Sequence, residues 1–212
     1  MSKLQRSNHT NGSGKVLGAA DWLRVAQAEL IYKGIHAVKV DRLARKLRVT
    51  RGSFYWHFSS HADLLKQLLN SWIVNNTEPF KKVLESERDG SGKFQAIVDL
   101  WLSEREYNPK FDSAVRDWAR ASPQVARVVR TADEERIALL REIFKELGYT
   151  DPEALVRARI TYFHQVGYYT LGIVEKPDVR RKLRPYYTRI LLGMGATEGL
   201  VRAGEAREVG GP

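Results

Sequence analysis

Between Asp41 and Phe58 the chain reads Asp-Arg-Leu-Ala-Arg-Lys-Leu-Arg-Val-Thr-Arg-Gly-Ser-Phe-Tyr-Trp-His-Phe. No other stretch limits the fold as tightly. Val40, Leu43, Ala44 and Leu47 recur at i, i+3, i+4 and i+7, the apolar stripe of one short helix. Val49 and Phe54 supply apolar anchors around a second. The spacing predicts helices at about Asp41–Leu47 and Arg51–Trp56, joined by a tight turn. Arg42, Arg45, Lys46, Arg48 and Arg51 are left to face solvent or a polyanion. Two short helices with cationic, hydroxylated and aromatic outer positions have the layout of a helix-turn-helix DNA reader.

The flanking residues extend the pattern. Ala26-Gln-Ala-Glu-Leu-Ile, Lys33-Gly34-Ile35, Val38-Lys-Val40, Leu43-Ala44, Arg48-Val49-Thr50, Tyr55-Trp-His-Phe58 and Asp63-Leu-Leu65 follow one another without a break in spacing. In that order, Trp22 to Leu65 resembles the N-terminal domain of tetracycline-repressor-like (TetR) regulators, over roughly a fifth of the chain. The resemblance implies an all-α protein, with a three-helix helix-turn-helix DNA-binding domain followed by a helical ligand-binding and dimerisation domain. It implies that Thr50, Arg51, Ser53 and Tyr55 face DNA, with Gly52 allowing close approach, and that Tyr55, Trp56 and His57 grip phosphates. Arg51 is the residue best suited to a guanine edge, since its fork can donate two parallel bonds. Lys39, Arg42, Arg48 and His61 are expected to add affinity. Three positions depart from the family. Arg48 stands at the usual turn glycine, a site that often needs positive φ. His61 replaces a lysine, and Lys39 replaces a threonine that could cap the next helix.

Charge supports this reading by its placement. The net charge is +10 over 212 residues. Residues 1–61 hold 11 basic and 3 acidic groups, an excess of eight, whereas the other 151 hold 24 and 22, an excess of two. A basic excess gathered around a helix-turn-helix fits phosphate neutralisation with counterion release. There is no cysteine, which excludes disulfides and thiolate zinc sites. No apolar run approaches the roughly 20 residues of a membrane span, and Met1–Thr10 lacks the apolar centre of a secretory signal. A cytoplasmic protein without membrane contact is the expectation.

The domain reading is a flexible arm at 1–14, a DNA-binding domain at 15–60, a ligand-binding and dimerisation domain at 61–202 and a flexible tail at 203–212. A first helix is expected from about Lys15 to Tyr32, ended by Gly34. A fourth starts near Ser60, whose hydroxyl can cap it. Glu87–Gly92 reads as a loop. Further helices follow near Lys93–Tyr107, Asp112–Ala121, Gln124–Leu147, Pro152–Val174 and Asp178–Leu200, each break marked by Pro, Gly or Asn. Pro185 should kink the last segment or begin its main helix.

The second domain is rich in aromatics. Arg159–Ile173 is apolar nearly all round, so a central helix is expected, yet it carries Thr161, His164, Gln165 and Thr170. If buried, these satisfy one another or the backbone, or they face a cavity that takes a polar ligand group. Trp101, Tyr107, Phe111, Trp118, His164, Gln165 and Tyr168 are the expected effector site, with ordinary core as the alternative for each. The family's two-fold bundle would use helices at about 152–174 and 185–200. There Gly167, Gly172, Gly193, Gly195 and Ala196 would allow close approach, and Leu191, Leu192 and Met194 would add apolar surface.

The reading is therefore a homodimeric regulator, expected to be a repressor, that leaves a palindromic double-stranded operator when a small hydrophobic effector binds. No cofactor is expected. An enzyme would need a nucleophile–base pair, a cofactor motif or a metal constellation, and none is present in the sequence. A helical ligand-binding or adaptor protein without sequence-specific DNA binding is the remaining alternative.

Overall fold

A computed structural model describes residues 17–193. Among them are eight α-helices: α1 (Ala19–Lys33), α2 (Val40–Leu47), α3 (His61–Leu84), α4 (Gly90–Ser103), α5 (Pro109–Ala121), α6 (Pro123–Glu146), α7 (Asp151–Thr170) and α8 (Pro177–Leu192). Two 3-10 turns, Ile35–Ala37 and Arg51–Trp56, complete the described residues, which contain no strand. The all-α expectation holds. The expected arm and tail lie outside the described residues. None of the described helices is long and apolar enough to cross a membrane.

The chain divides into two compact units. One takes residues up to Val74 together with Lys110–Arg127, and the other takes Asn75–Pro109 and Val128 onward. The division falls inside α3 and assigns α5 to the first unit. It differs from a cut at residue 60.

Local chemistry sets the helix ends. α1 begins at Ala19 rather than at Lys15, because Gly18 is extended and donates its N–H to the Asp21 carboxylate at 3.1 Å. It stops at Gly34, whose φ of 76° lies in the region that favours glycine. α3 starts as expected: the Ser60 hydroxyl accepts the Asp63 N–H at 3.1 Å, and Asp63 accepts the Ser59 N–H at 3.0 Å. α4 begins inside the expected loop. Asp89 caps it by accepting the Gly92 N–H at 2.7 Å. A Cβ at Gly90 would meet Glu146, Leu147 and the Ile143 carbonyl at 3.1–3.2 Å, so glycine lets this start pack against the end of α6. Pro185 lies within α8, which continues through it.

The first unit is closed around Trp22, Leu43, Phe54, Phe58, Leu64 and Trp72, all at most 1% exposed. Phe54 meets Trp22 edge-on at 5.3 Å and stacks on Phe58 at 5.1 Å. The Trp72 indole N–H donates to buried Asp112, which also accepts from Arg116. The second unit has its own core of Phe80, Phe94, Trp101, Ile143, Phe144 and Tyr162. Leu192 is wholly buried there, so it is intra-chain core and offers a partner nothing. Met194, Gly195 and Ala196 lie outside the described residues.

α7 corrects one expectation. It is not enclosed on all sides: Ala154, Ala158, Thr161, Tyr162 and Gln165 are buried, whereas Thr170 is exposed. Val156, Ile160 and Phe163, at i, i+4 and i+7, form a second apolar stripe, each more than half exposed. On α8, Tyr186 and Ile190 are likewise more than half exposed.

Candidate nucleic-acid interface and effector cavity

The reader is built from α2, its turn and the 3-10 segment. α2 buries Val40, Leu43, Ala44 and Leu47, the stripe read from the sequence. Its remaining positions therefore face outward. Lys39 precedes it without a side-chain cap, as its replacement of threonine suggested. At the other end Arg48 adopts the left-handed conformation, φ 56° and ψ 43°. The Arg48 N–H bonds the Arg45 carbonyl and the Val49 N–H bonds the Ala44 carbonyl, which is a Schellman closure made without glycine. The turn closes in the left-handed conformation that glycine favours, and arginine bears its cost.

The second element is a single 3-10 segment, Arg51–Trp56. Phe54 is its inward anchor. Around it Thr50, Arg51, Gly52, Tyr55 and Trp56 are exposed, with Ser53 and His57 half-buried. The Ser53 hydroxyl donates to the Thr50 carbonyl at 2.8 Å, leaving its oxygen as an acceptor. A Cβ on Gly52 would meet nothing closer than the Thr50 hydroxyl at 3.7 Å. The fold itself thus does not require glycine at 52. Arg51 lies 3.5 Å from the exposed Asp41 carboxylate. A hydrogen bond with Tyr55, then the Asp41 charge, hold its guanidinium above the usual range.

The cations divide into two groups. Lys39, Arg45 and Arg48 are exposed and form no ion pair among the described residues. Arg42 and Lys46 turn back toward Glu29 of α1, which is 1% exposed. Arg42 Nε stands 3.0 Å from Oε2 but is not aligned as a hydrogen bond, Lys46 bonds Oε1, and Lys33 lies 4.0 Å away. Burial alone would raise the Glu29 carboxyl. The bond from Lys46 and the three positive charges outweigh it and hold the group below the usual carboxylate range. Arg42, expected to face phosphate, is therefore partly committed to the fold. Glu29 was not foreseen. Its one signal was position: it sits on the Trp22–Ala26–Leu30 face of α1, at i+7 from Trp22. His61 also has a partner inside the unit, its Nε2 being 2.7 Å from the Val38 carbonyl and thus the donor.

The seven residues expected around an effector separate. Trp101, His164, Gln165 and Tyr168 line one cavity of about 70 Å³, in company with Thr161, Tyr187 and Leu191 of α7 and α8. Tyr107 does not line it. It is buried core, packed edge-on to Phe80 at 6.2 Å. Phe111 and Trp118 are buried in the first unit and do not line it either. Aromatic content, or polarity on an apolar helix for His164 and Gln165, marked them in the sequence, but only the packing of α4, α7 and α8 decides which meet a void. Burial lowers the His164 imidazole below its usual range, although part of the side chain still meets solvent. Among the described residues no three His, Cys, Asp or Glu gather as metal ligands.

Comparison with known proteins agrees with this geometry. Residues 23–68 match the sequence model of bacterial regulatory proteins of the tetR family. A curated relative, the HTH-type transcriptional activator FasR of Mycolicibacterium smegmatis, is 26% identical over 115 residues, which is 53% of this chain and 52% of that protein. The chain thus spans about half the length of that relative. A TetR-family transcriptional regulator from Streptomyces coelicolor superposes with a TM-score of 0.68 at 20% identity, covering 82% of this chain and 93% of the other. The fatty acid degradation regulator FadR of Bacillus halodurans gives 0.63 at 15%, covering 84% and 95%. The ketosteroid regulator KstR2 of Mycobacterium tuberculosis gives 0.62 at 14%, covering 89% and 97%. At these identities the likeness is one of fold.

Proposed function

We propose that the chain, whose residues 23–68 match the tetR-family model, is a transcriptional regulator of that family that works as a homodimer on a palindromic operator, blocks transcription there, and leaves when a small hydrophobic effector binds. The observation that carries the DNA half of this reading is the reader surface. Lys39, Arg45 and Arg48 are unpaired, and beside them Thr50, Arg51, Tyr55 and Trp56 stand exposed around a buried Phe54. Lys39, Arg48 and Arg45 supply affinity through phosphates, while Arg51 exchanges Asp41 for a base edge. Gly52 lets the backbone come close. His61 gives its Nε2 proton to the Val38 carbonyl, so its Nδ1 can donate to a phosphate only if the ring takes up a second proton.

The homodimer is supported by α7 and α8. Exposed stripes such as Val156, Ile160 and Phe163 are unusual on a monomer and suit a partner surface. One reader contacts few base pairs, and two-fold pairing doubles the site. Position on the promoter sets the sign of regulation. A dimer that overlaps the start blocks it, and the activator name of the M. smegmatis relative belongs to that protein.

Selection of bound sequences from a random duplex library with the full-length protein tests the reading. The expected product is an inverted repeat with half-sites about one helical turn apart. Arg51→Ala should then lose roughly 1–3 kcal/mol and its preference at one base pair of each half. Failure to enrich any sequence, or a wild-type protein that sediments as a monomer on and off DNA, would overturn it.

A further inference from the structure

Two polar atoms of α7 stand out from every other group around the cavity of the second unit. Thr161 is 1% exposed and Gln165 is 9% exposed, and both line the void. Thr161 Oγ1 and Gln165 Nε2 are buried without a hydrogen-bond partner. A threonine on a helix ordinarily satisfies itself on the preceding turn, and a buried amide N–H left open costs free energy. They lie four residues apart, hence on one face of α7. Apart from His164 and the charged groups Glu175, Arg180 and Arg184, the wall is apolar or aromatic, led by Trp101, Tyr168 and Tyr187.

The charged groups at the rim are already engaged. Arg180 binds Glu104 at 3.0 Å and the Trp101 carbonyl at 3.2 Å. Arg184 binds Asp99 at 2.7 Å and Gln95 at 2.8 Å. Glu175 accepts from the Tyr168 hydroxyl at 3.3 Å. Neither arginine is spare for an anion, and burial disfavours the charged form of His164, so an anion taken from water there is costly.

Resting on the regulator reading above, we infer that the effector is an uncharged, flat ring compound. It carries one hydroxyl or carbonyl oxygen, which accepts from Gln165 Nε2 and shares a hydrogen bond with Thr161 Oγ1 while the ring lies against Trp101 and Tyr168. The cavity of about 70 Å³ is tighter than the engineered void of roughly 150 Å³ that admits benzene. Entry therefore moves side chains of α4 or α8, which is the change such a ligand would deliver.

Three probes of one shape test it on the full-length protein: p-cresol, toluene and 4-methylbenzoate. Calorimetric titration should show p-cresol binding roughly tenfold more tightly than toluene, with 4-methylbenzoate weakest. In the Thr161→Val/Gln165→Leu double variant the p-cresol preference should vanish. The same variant, free of ligand, should melt higher than the wild type, because it removes two unpaired buried groups. A merely structural role predicts the opposite shift. Equal binding of the three probes, no binding of any, or a lower melting temperature in the variant would each overturn the inference. The readout needs no DNA, so an absent operator response with probe selectivity intact would count against the regulatory coupling alone and leave the cavity's chemistry standing.

Discussion

Two buried polar sites, one in each unit, are partnered in opposite ways. In the first, Glu29 is almost wholly buried and has three cations about it, Lys33, Arg42 and Lys46. In the second, Thr161 Oγ1 and Gln165 Nε2 are equally hidden and have none. A buried charge surrounded by partners fixes one arrangement of α1 against α2, since leaving it unpaired would be far costlier. A buried amide and hydroxyl left open do the reverse, lowering the stability of the empty state and rewarding whatever fills the gap. The contrast is between a contact that ties α1 to α2 and a pair of open polar atoms beside the cavity. It also explains why a basic face need not be all for DNA: part of that charge holds the reader together.

The largest expected effect attacks the closed side of the comparison. Phe54 has no exposed surface and touches Trp22, Tyr55 and Phe58 with ring centres 5.1–5.3 Å apart. Phe54→Ala should cost roughly 3–5 kcal/mol and abolish DNA binding through loss of the reader's shape. Urea unfolding followed by tryptophan fluorescence measures it. A cost below about 1 kcal/mol would show that this unit relaxes around a void, and the contrast with the second unit would fail.

Glu29→Gln is the next step down. It should destabilise the protein by roughly 1.5–3 kcal/mol, the range for hydrogen bonds to charged groups. The pH dependence is the sharper check. The Glu29 carboxyl titrates lower in the folded chain than in the unfolded one. Its contribution is therefore complete above the unfolded carboxylate range and is lost as pH falls through the lower folded value. The stability gap between wild type and variant should close in acid. A gap that stays constant down to the acid transition would mean that packing, not charge, makes Glu29 matter.

What the sequence disclosed follows from the range of the interactions involved. The α2 stripe, the Arg48 turn and the Ser60 cap each depend on residues within about one or two helical turns, so spacing alone exposes them. Glu29 needs Arg42 and Lys46, which are distant along the chain and adjacent only once α1 and α2 pack. The cavity shows the same limit more strongly. Trp101 and Tyr107 are alike in composition and near in sequence, yet one lines the void and the other fills the core around Phe80. Thr161 was visible as a buried polar residue on an apolar helix, but its lack of a partner is a fact of tertiary packing. The exposed stripe of α7 is hidden from sequence reading for a related reason: an apolar face reads the same whether or not the chain covers it.

The smallest expected effect is at Arg48, where the two demands on the reader meet in one residue. Its φ of 56° is in the left-handed region, which costs a side chain with a Cβ about 1 kcal/mol and glycine almost nothing. Arg48→Gly keeps both backbone bonds of the turn, because they belong to main-chain atoms. Glycine also adds entropy to the unfolded chain, which offsets part of the gain. The net change should be a stabilisation of about 0.5 kcal/mol, seen as a small rise in the urea midpoint. Against this, the variant loses an exposed guanidinium. If Arg48 meets phosphate, the slope of log affinity against log salt should fall by about one unit, equally on operator and random duplex. The two measurements move in opposite senses only if arginine is retained at a strained turn for the sake of DNA. A more stable variant with an unchanged salt slope would leave Arg48 as a tolerated departure from glycine, and the unpaired cations of the reader would reduce to Lys39 and Arg45.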